Sequence, residues 1–351
     1  MKINLILPSI GTSGGIDVVY KYVNLLKRNG HDVCVYKAVR ANNMHREHSE
    51  IKNIIHQIYC TVKIILEKEK YRQNADCFVW KISNKTIRDA NVTIATAWPT
   101  AFEVYRLDKS KGRKFYFIQG YEIWDNPEIV KKSYQLPLNK IVISTWINNR
   151  LKQDLGMGPF PIVYNGLDAS IYHSMAIKRK TNEISFLMLN HKLGQKGVAN
   201  GLAAFEEVKK KYSNVKLRMF GICDRTNLPE DVEYFQNPSK GKIVELYSKS
   251  DIFIFPSIEE GWGLTPLEAM ACGCIVVGTR TGFVLDLGKH RVNMMISEPG
   301  DISGMVLNIE ELLSNPVLIK KIKEKSIETV KSLDWEKSAN KLVSILCSYI
   351  E

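Results

Sequence analysis

Glu260 and Glu268 bound the seven residues Gly-Trp-Gly-Leu-Thr-Pro-Leu, within a stretch that runs FPSIEEGWGLTPLEAMACGCIVVG from Phe255 to Gly278. An apolar run precedes this loop and a second one, CIVVG, follows the bend at Cys272-Gly273. Strand, Gly loop, helix and strand in that order place backbone N–H groups and a helix start where an anion can sit. Thr265 is a candidate N-cap, Pro266 suits the first helical position and Glu268 falls three residues after the cap, so a capping box is expected. Glu268 therefore has two readings, as the cap of its own helix or as a ligand group. Glu260, between another Glu and a Gly, has a solvated turn as its plain alternative.

The elements around that loop alternate. Lys2 to Pro8 reads as a strand, Gly11-Thr-Ser-Gly14-Gly15 as a flexible turn, and Ile16, Val19, Tyr20, Val23 and Leu26 recur at helical spacing before Asn29-Gly30. HDVCVYKAV is the next strand. The turn lacks the G-x-G-x-x-G form, so no dinucleotide fingerprint is present, although Gly14 and Gly15 can bring backbone N–H groups close to a phosphate. Further strands fall at Phe78 to Trp80, Val92 to Ala97 and Phe115 to Ile118, the last entering a loop with Gln119, Tyr121, Glu122 and Trp124. Loops at strand carboxyl ends of an open α/β sheet face the ligand crevice. A second strand and helix series begins at Ile184, and the C-terminal stretch is helical with breaks near Pro316 and Leu333. The pattern implies two α/β halves with mostly parallel sheets.

At 351 residues, with 45% apolar and 25% charged residues, the chain suits two globular domains. No apolar run is long enough to span a bilayer, and the short N-terminal apolar run reads as a buried strand rather than a signal, so cytoplasmic residence is expected. Seven scattered cysteines without a C-x-x-C pair are expected to be reduced thiols, and Cys272 and Cys274 are too close for a metal pair. The net charge of +12 is uneven: residues 1–166 hold 25 Lys and Arg against 14 Asp and Glu, the remainder 24 against 23. Candidate partners for the basic half are an anionic membrane surface or a phosphate-bearing acceptor, whereas no reading helix or RNP-type strand supports nucleic acid. Within residues 42–75, IKNIIHQIYCTVKIILEKEKYR forms an amphipathic helix with basic residues on its polar side. Its first reading is packing on its own domain, its second an anionic membrane.

The sequence EGWGLTPLEAMACGCIVVGT resembles the E-x7-E signature of the GT4 retaining glycosyltransferases, usually met as EGFGLxxLEAMAxGxPVV. VYNGLDASIYH is similar to the family's NGxD segment at the domain junction, FLMLNHKLGQKG to GRxxxxKG, LYSKSDIFIFPS to LYxxADxxxxPS, TGFVLD to the GGxxE turn and LDWEKSANKL to FSWxxxAxxL. The resemblance implies an α/β GT-B fold, two Rossmann-like domains facing a central cleft. Residues 1–165 would bind the acceptor and 166–335 the nucleotide sugar, with the helix 336–351 crossing back to the first domain. It implies transfer of a sugar from a nucleoside diphosphate sugar to a glycan or lipid-linked hydroxyl, with retained anomeric configuration and neither cofactor nor metal. By the same likeness Lys196 would bind the diphosphate opposite Gly14 and Gly15. Glu260 would contact the donor sugar, Glu268 the ribose, and the stretch Gly261, Trp262, Gly263, Leu264 and Thr265 sugar hydroxyls and phosphate. Lysine beside Gly197 would otherwise be an ordinary solvated turn residue.

Two positions depart from the pattern. His191 stands where the family carries Arg, and a neutral imidazole cannot replace a guanidinium on a diphosphate. Gln119 stands where many members have His as a candidate catalytic group, and an amide cannot shuttle protons. YFIQGYE together with the later STW resembles a subgroup found in surface-polysaccharide assembly, which suggests work at the inner face of the cytoplasmic membrane. The departures leave a non-catalytic nucleotide-sugar-binding or scaffold subunit as the alternative.

Overall fold

The computed structural model describes residues 1–11, 13–41, 50–123, 126–175, 183–226 and 228–350. Trp124 and the part of the 42–75 segment before Glu50 lie outside them. The chain divides into two compact units, one of residues 1–143, 147–165 and 335–351, the other of 144–146 and 166–334. The two units differ from the expected bounds in two details. Trp335 already belongs to the first unit, and Ser144 to Trp146 belong to the second.

The first unit holds strands β1 (Lys2–Leu7), β2 (Asp32–Ala38), β3 (Asp76–Val79), β4 (Val92–Ala95), β5 (Arg113–Ile118) and β6 (Asn139–Val142), all parallel, in the order β3-β2-β1-β4-β5-β6. Helices α1 (Gly14–Arg28), α2 (Glu50–Glu67), α3 (Trp98–Tyr105), α4 (Pro127–Gln135) and α5 (Thr145–Leu155) connect them. The second unit repeats the plan with β7 (Ile184–Leu189), β8 (Val215–Gly221), β9 (Glu233–Gln236), β10 (Ile252–Phe255), β11 (Ile275–Thr279) and β12 (Met295–Ser297), ordered β12-β11-β10-β7-β8-β9. Its helices are α6 (Val198–Lys211), α7 (Lys240–Lys249), α8 (Leu264–Ala271), α9 (Val284–Leu287), α10 (Ile302–Ser314) and α11 (Pro316–Lys331). Read outward from the first strand, both sheets have the doubly wound Rossmann order, so each unit has one place where successive crossovers turn to opposite sides. That place lies between β1 and β4 in the first unit and between β7 and β10 in the second.

The last helix, α12 (Trp335–Cys347), closes the first unit. Tyr22 on α1 sits edge-on between Phe117 at 5.5 Å and Trp335 at 5.4 Å, an aromatic node that fixes α12 to α1. In the second unit Phe186, Met219, Ile254 and Val277 from the sheet and Phe205 and Ile309 from α6 and α10 are buried in one core.

Three local expectations are corrected. Gly14 and Gly15 are the first residues of α1 rather than part of a flexible turn, because Ser13 caps the helix by accepting the Ile16 N–H at 3.3 Å. Cys34 on β2 and Cys77 on β3 are disulfide-bonded with Cα atoms 6.6 Å apart, so not every cysteine is a free thiol. The amphipathic helix α2 does not pack by its apolar side. All its large apolar residues but the half-buried Ile64 are exposed, whereas Gln57 and Thr61 face the protein. Among the described residues no helix is long and apolar enough to cross a membrane.

Candidate active site

In the second unit the loops after β7 and β10 flank the point where the crossovers reverse, the place where open α/β sheets bind ligands. The loop after β7 carries His191 and ends in a single 3-10 turn, Gly194–Lys196. Gly197 follows with φ +63°, and a Cβ there would lie 2.0 Å from the Pro256 carbonyl oxygen. Only glycine fits that backbone and that gap, so the lysine's neighbour is a packing requirement. The Gln195 carbonyl accepts the N–H groups of Ile258 at 2.7 Å and Glu259 at 3.2 Å, tying the two loops together. The outcome is a contact across 64 residues of sequence: Lys196 Nζ donates to Glu260 Oε2 at 2.6 Å, with the side chains 23% and 15% exposed.

The residues after Glu260 are held from beneath. Trp262 is 2% exposed and packs on Phe283, whose N–H donates to the Trp262 carbonyl at 2.8 Å. Ser144 Oγ donates to the Gly261 carbonyl at 2.6 Å, and Asp286 accepts the Thr145 N–H. The loop carbonyls are thus occupied. Among the described residues the N–H groups of Gly261, Gly263, Leu264 and Thr265 donate to no protein acceptor. Such a run of free donors suits an anion.

The expected capping box is absent. Helix α8 begins at Leu264 behind Gly263, whose φ is +94°, and no side chain caps it. Thr265 is the second helical residue. A Cβ on Gly263 would crowd the Phe255 ring at 3.2 Å, so the chain must turn in the left-handed region before Thr265 is reached. Glu268 is therefore not a cap. Its Oε2 accepts the Tyr247 hydroxyl at 3.1 Å, and Tyr172 supplies a second hydroxyl. Burial raises the Glu268 pKa, opposed in part by the two tyrosines. The same burial, with the Glu268 charge, pushes the Cys272 thiol up to about 12.

His191 is half-buried, and its Nδ1 accepts the Leu193 N–H at 3.1 Å. Burial, then the nearby Lys196 charge, lower its pKa, so the ring is neutral near pH 7 with its proton on Nε2. A pocket of about 650 Å³ opens beside it at the carboxyl ends of β7 and β8, with Val198, Leu202, Ile222 and Leu228 in its wall.

In the first unit Gln119 leaves the end of β5 and lies over Gly15, where an added Cβ would come within 3.7 Å of its amide. Gln119 Oε1 is buried with no hydrogen-bond partner. Glu122 stands in the same loop, accepting the Trp98 N–H that opens α3 at 3.2 Å, while its own N–H donates to Tyr134 Oη at 2.9 Å. Burial pushes its pKa up to about 7.

The structure brings Lys196, Glu260, His191 and the Gly261, Gly263, Leu264 and Thr265 N–H groups to adjoining loops of one unit, and Gly14, Gly15 and Gln119 to the other. Ser144, Asp286, Tyr172 and Tyr247 lie within the segments STW, TGFVLD, VYNGLDASIYH and LYSKSDIFIFPS but carry no role of their own in those motifs, because only the fold shows which side chains they meet. Among the described residues no cluster of His, Cys, Asp or Glu side chains has the convergence a metal ion needs.

Residues 173–329 match the family model of glycosyl transferases group 1. The chain is 25% identical over 205 residues to an uncharacterized glycosyltransferase of Methanocaldococcus jannaschii, 56% of each chain. It is 25% identical over 232 residues to the capsular polysaccharide biosynthesis glycosyltransferase CapM of Staphylococcus aureus, 61% of this chain and 60% of that protein. The matches span about half the length of these curated relatives. Among solved structures, a sucrose-phosphate synthase from Thermosynechococcus elongatus superposes with a TM-score of 0.76 at 16% identity, over 99% of both chains. Anabaena HepE in complex with UDP and glucose gives 0.69 at 14% identity, over 99% of this chain and 100% of that one. The chain is thus similar to glycosyl transferases group 1 over residues 173–329, and its fold is of GT-B type.

Proposed function

We propose that this protein is a GT4-like retaining glycosyltransferase that moves a sugar from a nucleoside diphosphate sugar to a hydroxyl of a glycan or lipid-linked acceptor. The observation that carries the reading is the Lys196–Glu260 pair, at 2.6 Å, beside the N–H groups of Gly261, Gly263, Leu264 and Thr265, which donate to no acceptor among the described residues. As the bond from the anomeric carbon to the diphosphate oxygen breaks, negative charge collects on the leaving phosphate. One ammonium and several fixed backbone dipoles meet that charge without reorganising. The new bond forms from the acceptor oxygen to the same face of the anomeric carbon, and the acceptor proton passes to the departing phosphate. Gln119 orients a hydroxyl and carries no proton. Glu260 takes donor hydroxyls, Glu268 the ribose and the pocket beside His191 the nucleoside. Support for a diphosphate donor comes from HepE, which was solved with UDP and glucose.

We extend the reading to place. The likeness to CapM and the basic first half support surface-polysaccharide assembly, by a protein held peripherally at the inner membrane face. Incubating the purified protein with a panel of sugar nucleotides, with and without EDTA, tests the reaction. Donor turnover that survives chelation, with NMR of the product showing the donor's anomeric configuration, is the expected result. Inversion, or dependence on added metal, refutes the mechanism. Binding of donor without any turnover marks a scaffold subunit instead.

A further inference from the structure

We infer that α2 is a membrane-docking element, which lays an apolar stripe into the interface of an anionic phospholipid bilayer. The inference rests on the peripheral-membrane reading above and names the surface responsible. Ile51, Ile55, Ile58, Val62 and Leu66 recur at spacings of three and four and so form one line down the helix. Ile54 and Ile65 widen the line on one side and Tyr59 on the other, and these eight side chains are 44 to 78% exposed. An ordinary surface helix turns such a stripe inward.

Here the attachment is by the opposite face. Gln57 Nε2 donates to the Ala41 carbonyl at 2.7 Å, and Thr61 Oγ1 accepts the Ala41 N–H at 3.1 Å while donating to the Gln57 carbonyl at 2.7 Å. These bonds fix the rotation of the helix and hold its apolar face outward. The exposed stripe is on the order of several hundred Å², at or above what a typical monomer leaves uncovered.

Charge selects the occupant. Lys52 and Lys63, eleven residues apart, share one flank of the stripe, and Lys70 follows just past the helix. A hollow of about 460 Å³ opens beside Gln57, lined by Arg40, Lys81 and Arg106 with Glu103 as its one carboxylate. Trp80, next to Lys81 in sequence and 56% exposed, accepts the Arg40 N–H with its carbonyl. An apolar strip edged by lysines, with a tryptophan and a cationic hollow alongside, matches acyl chains below and phosphate headgroups above. A second copy of this chain would bring two strongly basic surfaces together.

Sedimentation with phosphatidylcholine vesicles containing about one third phosphatidylglycerol tests the proposal. The wild-type protein should sediment at low salt and far less with phosphatidylcholine alone. Ile55→Glu with Ile58→Glu should cut binding at least tenfold with the melting temperature unchanged, because both side chains point away from the fold. Lys52→Gln with Lys63→Gln should weaken binding about fivefold per lysine and flatten its salt dependence. Wild-type protein left in the supernatant at low salt, or equal binding by the Ile55→Glu/Ile58→Glu protein, overturns the proposal. So does a concentration-dependent dimer that this variant abolishes when vesicles are not bound. Binding is read without donor, so the two readings fail separately. A protein that sediments with vesicles but turns over no sugar nucleotide upholds docking and refutes the transferase; one that turns over donor and ignores vesicles does the reverse.

Discussion

Replacing Lys196 by Met separates a structural ion pair from a leaving-group clamp. In the free protein the ammonium meets Glu260 at 2.6 Å, and both side chains retain some contact with solvent. Solvent screening brings the worth of such a pair to about 1 kcal/mol, which for a unit of this size lowers the melting temperature by about 2–4 °C. In the transition state the same ammonium faces charge growing on a phosphate, where losing one preorganised partner costs about 2.7–4 kcal/mol, a factor of about 10²–10³ in rate. The two effects differ enough to tell apart. Released nucleoside diphosphate, measured well below the melting range, should show kcat/KM for Lys196→Met and for Glu260→Gln each reduced at least tenfold. A folded Lys196→Met protein that works within about threefold of wild type refutes the assignment, whatever its melting temperature.

Other consequences are independent of that pair. Glu268→Ala leaves the Tyr247 and Tyr172 hydroxyls without their acceptor, so melting should show a loss of about 1–3 kcal/mol. Glu268→Gln should recover most of that stability yet still weaken nucleotide binding by calorimetry; full recovery of both leaves the carboxylate a structural role only. Glu122 has a folded-state pKa of about 7 against an ordinary value of 4.5, so its protonated form is the favoured one in the fold. The stability it contributes is complete below the ordinary value and is lost as pH rises to about 7, on the order of 3 kcal/mol in all. The difference in unfolding free energy between wild type and Glu122→Gln should change over that window and level off above it; a flat difference contradicts the assignment. Gly197→Ala drives a methyl into the Pro256 carbonyl at a positive φ, and should cost both stability and donor turnover. Unchanged turnover would show that the lysine's position does not depend on that glycine.

The alternation of apolar strands and amphipathic helices was legible because central strands such as β4, β10 and β11 are continuous runs buried on both faces, while helices such as α1 carry their period openly. The Lys196–Gly197 and Glu260–Glu268 segments could be found by resemblance, and the packing of Gly197 on Pro256 explains why those residue types recur together. What stayed hidden depends on orientation. A capping box is a local rule, and at Thr265 it lost to the left-handed turn at Gly263, two residues earlier. Amphipathicity names two faces and not which one turns inward, so both readings of α2 stood open, and the bonds of Gln57 and Thr61 to Ala41 exclude packing by the apolar face. Ser144 lies 117 residues from the carbonyl it holds, and no local pattern encodes such a contact.

Titration calorimetry of the purified protein with a panel of nucleoside diphosphate sugars tests most directly whether the loops after β7 and β10 form a donor site. Saturable binding of at least one member is expected, weakened at least tenfold by Lys196→Met and again by Glu268→Ala. No heat from any member with folded protein, or equal affinity in both variants, contradicts it.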